Sequence, residues 1–167
     1  MLKQKIQNDT KESLKAGNEL QVSVLRMLLA SILSKEKEKR YKISKSEPGL
    51  AENELLERSE LKDEEIVDVV FSEIKKRKDA VIMFRNGNRM ELAEKEEREA
   101  GILQKYLPEQ ISEEELKEIA KSAIEKIDAK GLKDMGKVMA EIMPRVKGKA
   151  DAGLVSKIVK EFLSVVL

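Results

Sequence analysis

The sequence predicts an all-α protein of two lobes, and three observations carry that expectation. Apolar residues recur at spacings of three and four, whereas period-two runs of β-branched residues are missing. Charged residues occupy 39% of the chain, which suits long helices with solvated, salt-bridged outer faces. The breakers Gly17, Pro48-Gly49, Asn86-Gly87-Asn88, Pro108, Lys130-Gly131 and Pro144 to Lys149 part the periodic stretches from one another. An N-terminal helical bundle or hairpin is expected over 1–108, with a mobile connection at about 42–61, followed by a small three-helix C-terminal lobe over 109–167.

The first helix is expected from about Leu2 to Ala16, with Leu2, Ile6 and Leu14 inward and Gly17 at its end, where a positive φ costs glycine little. Asn18 caps a second helix whose inner side carries Leu25, Leu28, Leu29, Ile32 and Leu33. The run Lys35-Glu36-Lys37-Glu38-Lys39-Arg40 reads as its solvated last turn. From Lys42 to Leu61 apolar content falls and Ser46-Glu47-Pro48-Gly49 breaks the pattern, although Leu55-Leu56 can seed a short helical turn. Asp63 and Glu64-Glu65 favour the positive end of a third helix, on which Ile66, Val70, Ile74, Val81 and Phe84 fall within about a quarter of the circumference. A fourth helix over Arg89 to Leu107 stops at Pro108 and forms an antiparallel hairpin with the third.

Ser112-Glu113-Glu114-Glu115 is a capping box with Ile111 and Leu116 as its hydrophobic staple, so the second lobe begins there. Its helices are expected over Glu113 to Ala129, Met135 to Met143 and Ala152 to Val166, with Asp134 and Asp151 as caps of the later two.

Composition narrows the chemistry. No Cys and no His occur, which removes thiolate metal sites, the cysteine nucleophile, the side chain that titrates nearest neutrality and the commonest nitrogen ligand of transition metals. Serines are scattered, without a Ser-Lys-Ser arrangement or a Gly-x-Ser-x-Gly elbow. No catalytic residue, cofactor or metal is expected. The polar amino terminus, and the lack of any stretch approaching a membrane span, predict a cytoplasmic location. A formal charge of +1 gives no general attraction to phosphate, so any polyanion contact must be local.

One such place stands out. Arg145-Val146-Lys147-Gly148-Lys149 sets three cations within five residues beside an adaptable glycine and a helix start at Asp151, with Lys133 and Lys137 on the neighbouring helix start. Against Asp134 and Glu141 the five cations leave a local +3. The group grips phosphate, or it is a solvated loop whose following helix Asp151 caps unaided; spacing leaves both open. Aromatics are 3% of the chain and provide no stacking platform for bases, so a contact here would be electrostatic and directed by shape.

Other clusters read as structural. Arg77 projects from Lys75-Lys76-Arg77-Lys78 near Ile74, Val81 and Phe84, where it would need a carboxylate if buried, with Glu96 or Glu99 as candidates. Glutamates 94 to 99 alternate with Lys95 and Arg98 as a water-facing helix does. Met135, Met139 and Met143 form a stripe that fills core more often than it docks a partner. Gly148 and Gly153 have the glycine spacing of a nucleotide-binding loop, but Leu154-Val155 stand where Lys and Ser or Thr are needed.

Asp134-Met135-Gly136-Lys137-Val138-Met139 followed by Met143-Pro144-Arg145-Val146-Lys147-Gly148-Lys149-Ala150-Asp151 closely resembles the hallmark of the YqeY family. Leu25 to Ala30, Glu73 to Lys78 and Leu103 to Gln110 resemble that family's other blocks, in its order, and the departure lies around Ser44 to Leu61. The resemblance implies an all-helical, two-lobe protein similar to the tail of GatB, the subunit of glutamine-dependent tRNA amidotransferase whose tail helps hold tRNA. It implies an accessory module that meets tRNA through Lys133, Lys137, Arg145, Lys147 and Lys149, with tRNA amidotransferase or tRNA synthetase subunits as partners. A helical protein-protein adaptor, docking a helix on the Met stripe or between the lobes, is the alternative. Carbon-nitrogen ligation with glutamine as nitrogen donor is implied only by relatedness.

Overall fold

The computed structural model describes residues 1–165, and those residues are all-helical apart from turns. They fall into two compact units, one over Met1–Leu107 and one made of the described residues from Pro108 onward. The expected end of the last helix at Val166 lies outside the described residues.

In the first unit, α1 (Leu2–Lys15) and α2 (Glu19–Ser46) meet at Gly17, whose φ is +70°, and the Asn18 Oδ1 accepts the Gln21 amide at 3.1 Å as the cap of α2. Ile6, Leu25, Leu28, Ile32, Ile66, Val70, Ile74 and Leu103 make the core. Leu14 and Leu33, expected inward, are instead 58% and 49% exposed. The helical period explains both. Ser13, seven residues after Ile6, takes the inward position of α1 and leaves Leu14 about 80° round, while Leu33 lies about 100° from the buried Ile32.

The charge run from Lys35 to Arg40 is not a last turn. Glu36 is 5% exposed and faces inward, accepting the Lys3 ammonium at 2.7 Å and the Leu61 amide at 3.3 Å. Lys39 reaches both Glu65 carboxylate oxygens, at 2.8 and 2.9 Å, and Arg40 donates to the Ser59 hydroxyl at 3.2 Å. These contacts tie the run to the elements that follow and let α2 continue through Ser46. The connection expected over 42–61 is therefore mostly helix: the end of α2, a turn around Gly49, and α3 (Glu52–Ser59), which contains Leu55-Leu56. Arg58 grips Glu47 with two hydrogen bonds of 2.6 and 2.7 Å across that turn.

The hairpin consists of α4 (Asp63–Asn86) and α5 (Met90–Gln104), turning at Asn88 with φ +54°. Arg77 meeting Glu99 and Arg85 meeting Glu97 place the two helices antiparallel. Tyr106 pins the end of α5 to α1 by donating its hydroxyl to Asp9 at 2.7 Å. Burial and that carboxylate push the phenol well above its ordinary range.

The second unit contains α6 (Glu113–Ile127), a short 3-10 turn (Leu132–Asp134), α7 (Met135–Val146) and α8 (Ala152–Val165). Ser112 Oγ accepts the Glu115 amide at 3.2 Å, and Ile111 and Leu116 join one core with Ala123, Val138, Ile142, Val155, Val159 and Leu163. The helix expected to stop at Met143 passes through Pro144 and ends at Val146. Proline in the last turn removes one backbone hydrogen bond, whereas Val138, Ile142 and Val146, four residues apart and fully buried, hold that turn against the core. Asp134 makes no cap to α7; its carboxylate accepts the Lys130 amide at 3.1 Å and the Lys137 ammonium at 3.0 Å. Asp151 does cap α8, accepting the Leu154 amide at 2.9 Å.

Candidate functional site

Helix α7 decides how the five candidate cations are disposed. Lys133 and Lys137 lie at its start, whereas Arg145 belongs to its last turn and Lys147 and Lys149 to the loop beyond. At a rise of 1.5 Å per residue, Lys137 and Arg145 are separated by about 12 Å along the axis. The five do not converge on one point; they form two groups at opposite ends of the helix. Glu141 falls between them on the same face and is engaged from α6 by Lys126 at 2.6 Å. At the first group, the Lys130 amide and the Lys137 ammonium hold the Asp134 carboxyl below its ordinary range. Lys137 is thus partly neutralised, while Lys133 is exposed with no ion pair among the described residues.

The second group rests on a fixed backbone. Val146 is fully buried, the Lys149 amide donates to the Val146 carbonyl at 2.9 Å, and the Lys149 carbonyl accepts the Ile111 amide at 2.9 Å. Gly148 sits between them at φ +76°, a backbone state that few other residues adopt without strain. Arg145, Lys147 and Lys149 are all exposed. Three cations in the last turn of α7 and just beyond it also stabilise that helix through its dipole. The start of α8 is not open to a phosphate, because Asp151 already takes the Leu154 amide, and a Cβ on Gly153 would come within 2.9 Å of that same Asp151 oxygen. What the loop presents to solvent is its side-chain charge.

Arg77 is elsewhere and inward. It is 5% exposed, donates to Glu73 at 3.1 Å and to Glu99 at 3.2 Å, and also bonds the Glu73 carbonyl at 3.1 Å. Glu99 rather than the half-buried Glu96 meets it, and Glu73 is a partner that sequence reasoning missed, although a glutamate four residues before an arginine on one helix signals such a pair. Burial works against the Glu73 charge, but hydrogen bonds from Lys76, Arg77 and Ser31 outweigh it and hold this carboxyl below its ordinary range. Beside it, a cleft of about 580 Å³ opens between α2 and α4, lined by Ser31, Lys35, Lys42, Asp68, Ser72 and Lys76 among others.

Met135, Met139 and Met143 are half-buried against the core of the second unit. Among the described residues no cluster of three or more Asp or Glu side chains could hold a metal ion, and no helix is long and apolar enough to cross a membrane.

The sequence model of the family described as "Yqey-like protein" matches residues 47–163, more than two thirds of the chain. This chain belongs to the YqeY family. The match takes in all of α7 and the loop after it, and it begins only after α2, so the Leu25 to Ala30 block lies outside it. A curated relative from Pyrenophora tritici-repentis, named "Altered inheritance of mitochondria protein 41, mitochondrial", is 34% identical over 102 residues, which cover 59% of this YqeY family chain and 56% of the relative. The chain thus spans little more than half the length of that relative.

Proposed function

We propose that this YqeY family member is a non-catalytic accessory module that touches tRNA phosphates through the end of α7, in the manner of the related tail of GatB. One observation carries the reading: Arg145 and Lys149 stand exposed with no carboxylate partner among the described residues, on a loop that Val146 and Ile111 hold in place. Charge fixed in that way suits phosphate, which is recognised by position more than by sequence. Affinity from three to five such contacts is too weak to act alone, so a subunit of tRNA amidotransferase or a tRNA synthetase supplies the second tether. A cytoplasmic location belongs to the same proposal; "mitochondrial" is part of the fungal relative's name only.

Charge reversal of Arg145, Lys147 and Lys149 to Glu tests it. Loss of tRNA binding is expected with helix content nearly unchanged and melting lowered by no more than the helix-dipole contribution of those charges, and unaltered binding refutes the site. A second reading, the protein-protein adaptor, draws support from the hairpin tip, where Ile82, Met83, Met90 and Leu92 are 59%, 73%, 53% and 41% exposed. A partner contact insensitive to salt would favour it.

A further inference from the structure

The continuation of α2 through Ser46 turns what reads in the sequence as a fraying charge run into a rigid basic rod. Lys35, Lys37, Lys39, Arg40, Lys42 and Lys45 stand there against Glu36 and Glu38 alone, in a chain whose formal charge is only +1. Both acids are already engaged, Glu36 by Lys3 and Glu38 by Lys35. Lys39 and Arg40 turn towards Glu65 and Ser59. Lys37, Lys42 and Lys45 are exposed and make no ion pair among the described residues.

Helical geometry puts Lys37, Tyr41 and Lys45 on one outward ridge, four residues or about 6 Å apart, with Lys42 beside them at the rim of the α2/α4 cleft. Tyr41 is 64% exposed, and the Lys45 ammonium lies 5.6 Å from its ring centroid. An aromatic side chain left in water between unpaired lysines gains nothing for the core, and Ile32 and Glu36 already fix the inner face of this helix.

We propose that this ridge binds single-stranded RNA, with Tyr41 stacking on a base while Lys37, Lys42 and Lys45 hold the flanking phosphates. A cationic track beside an aromatic ring on which a base can stack is how single strands are held without base reading, and Tyr41 supplies one such ring where the 3% aromatic content alone promised no platform. A duplex would leave Tyr41 idle, since its bases are stacked on one another. An anionic membrane would need several aliphatic side chains on the same face, and Leu33 alone, one turn before Lys37, continues this ridge. The proposal extends the RNA-directed reading to the first unit, but it stands on other residues.

The test is fluorescence anisotropy of a labelled twelve-residue oligouridine with the full chain across a salt series, helix content being checked by circular dichroism. Tyr41→Ala should weaken binding by about fivefold or more, and Tyr41→Phe should stay within about twofold of wild type. Replacing Lys37, Lys42 and Lys45 by Gln should flatten the log-log salt slope by about two. Oligouridine binding that is absent, or unchanged in Tyr41→Ala, overturns the proposal, as does binding of phosphatidylserine vesicles in its place. Gln variants of Arg145, Lys147 and Lys149, run in parallel with tRNA, report on the α7 loop alone, so the two sites can fail separately.

Discussion

The Arg77 guanidinium and the Glu99 carboxylate, one on α4 and the other on α5, meet at 3.2 Å with both side chains almost wholly buried. With Glu73 they form a charged triad where the two hairpin helices face each other. Taking one member away leaves its partners charged and unpaired in a poorly solvated place, which costs far more than the intact cluster contributes.

Arg77→Ala should therefore destabilise the first unit by about 3–5 kcal/mol. Arg77→Lys should cost less, because an ammonium satisfies one carboxylate but lacks the fork that reaches both. Both tyrosines, Tyr41 and Tyr106, lie in this unit and there is no Trp, so urea unfolding followed by tyrosine emission reads it selectively. A loss below about 1 kcal/mol for Arg77→Ala would mean that the triad is not the anchor described.

Acid should expose the same cluster. The folded Glu73 carboxyl titrates below its ordinary range, so the stability it contributes is present above the unfolded carboxylate value and is lost as pH falls through the folded one. The stability difference between wild type and Glu73→Gln should shrink between about pH 5 and pH 3. A difference that is constant across that window contradicts the assignment.

At the start of α8 the account predicts a change of sign. Asp151→Ala removes the cap to Leu154 and should cost about 1 kcal/mol. Gly153→Ala should be destabilising in the wild type, because its Cβ, 2.9 Å from the Asp151 oxygen, displaces the cap. In the Asp151→Ala background the same substitution should be neutral or stabilising by up to about 0.5–1 kcal/mol, since only the helix preference of alanine is left. Hydrogen exchange of amides in the first turn of α8 measures both, and two effects of equal sign would show that Asp151 and Gly153 do not interact.

Much of this was legible in the sequence, and the misses have definable causes. Gly17, Asn18, Ser112 and Asp151 each mark a helix end through their own backbone or side-chain chemistry, and the structure places an end at each. The extension of α2 was hidden because a buried Glu36 looks in one dimension like any other charge in an alternating run; its partners Lys3 and Leu61 are 33 and 25 residues away. Pro144 likewise made a helix look shorter than it is, since a breaker near a helix end is tolerated when Val146 beyond it is needed in the core. The candidate cations were found by spacing, but their division between the two ends of α7 depends on where that helix starts and stops. Tyr41 carried no signal until α2 was seen to reach it.

Binding of the purified chain to labelled bulk tRNA across a salt series decides whether the end of α7 meets tRNA. Wild type is compared with a variant carrying Gln at Arg145, Lys147 and Lys149, a neutral change that spares the helix dipole the cost of reversal. The account predicts weak binding to tRNA with a log-log salt slope of roughly −2 to −5, and a slope nearer zero by about two to three in the variant. The same slope and affinity in both proteins would contradict it.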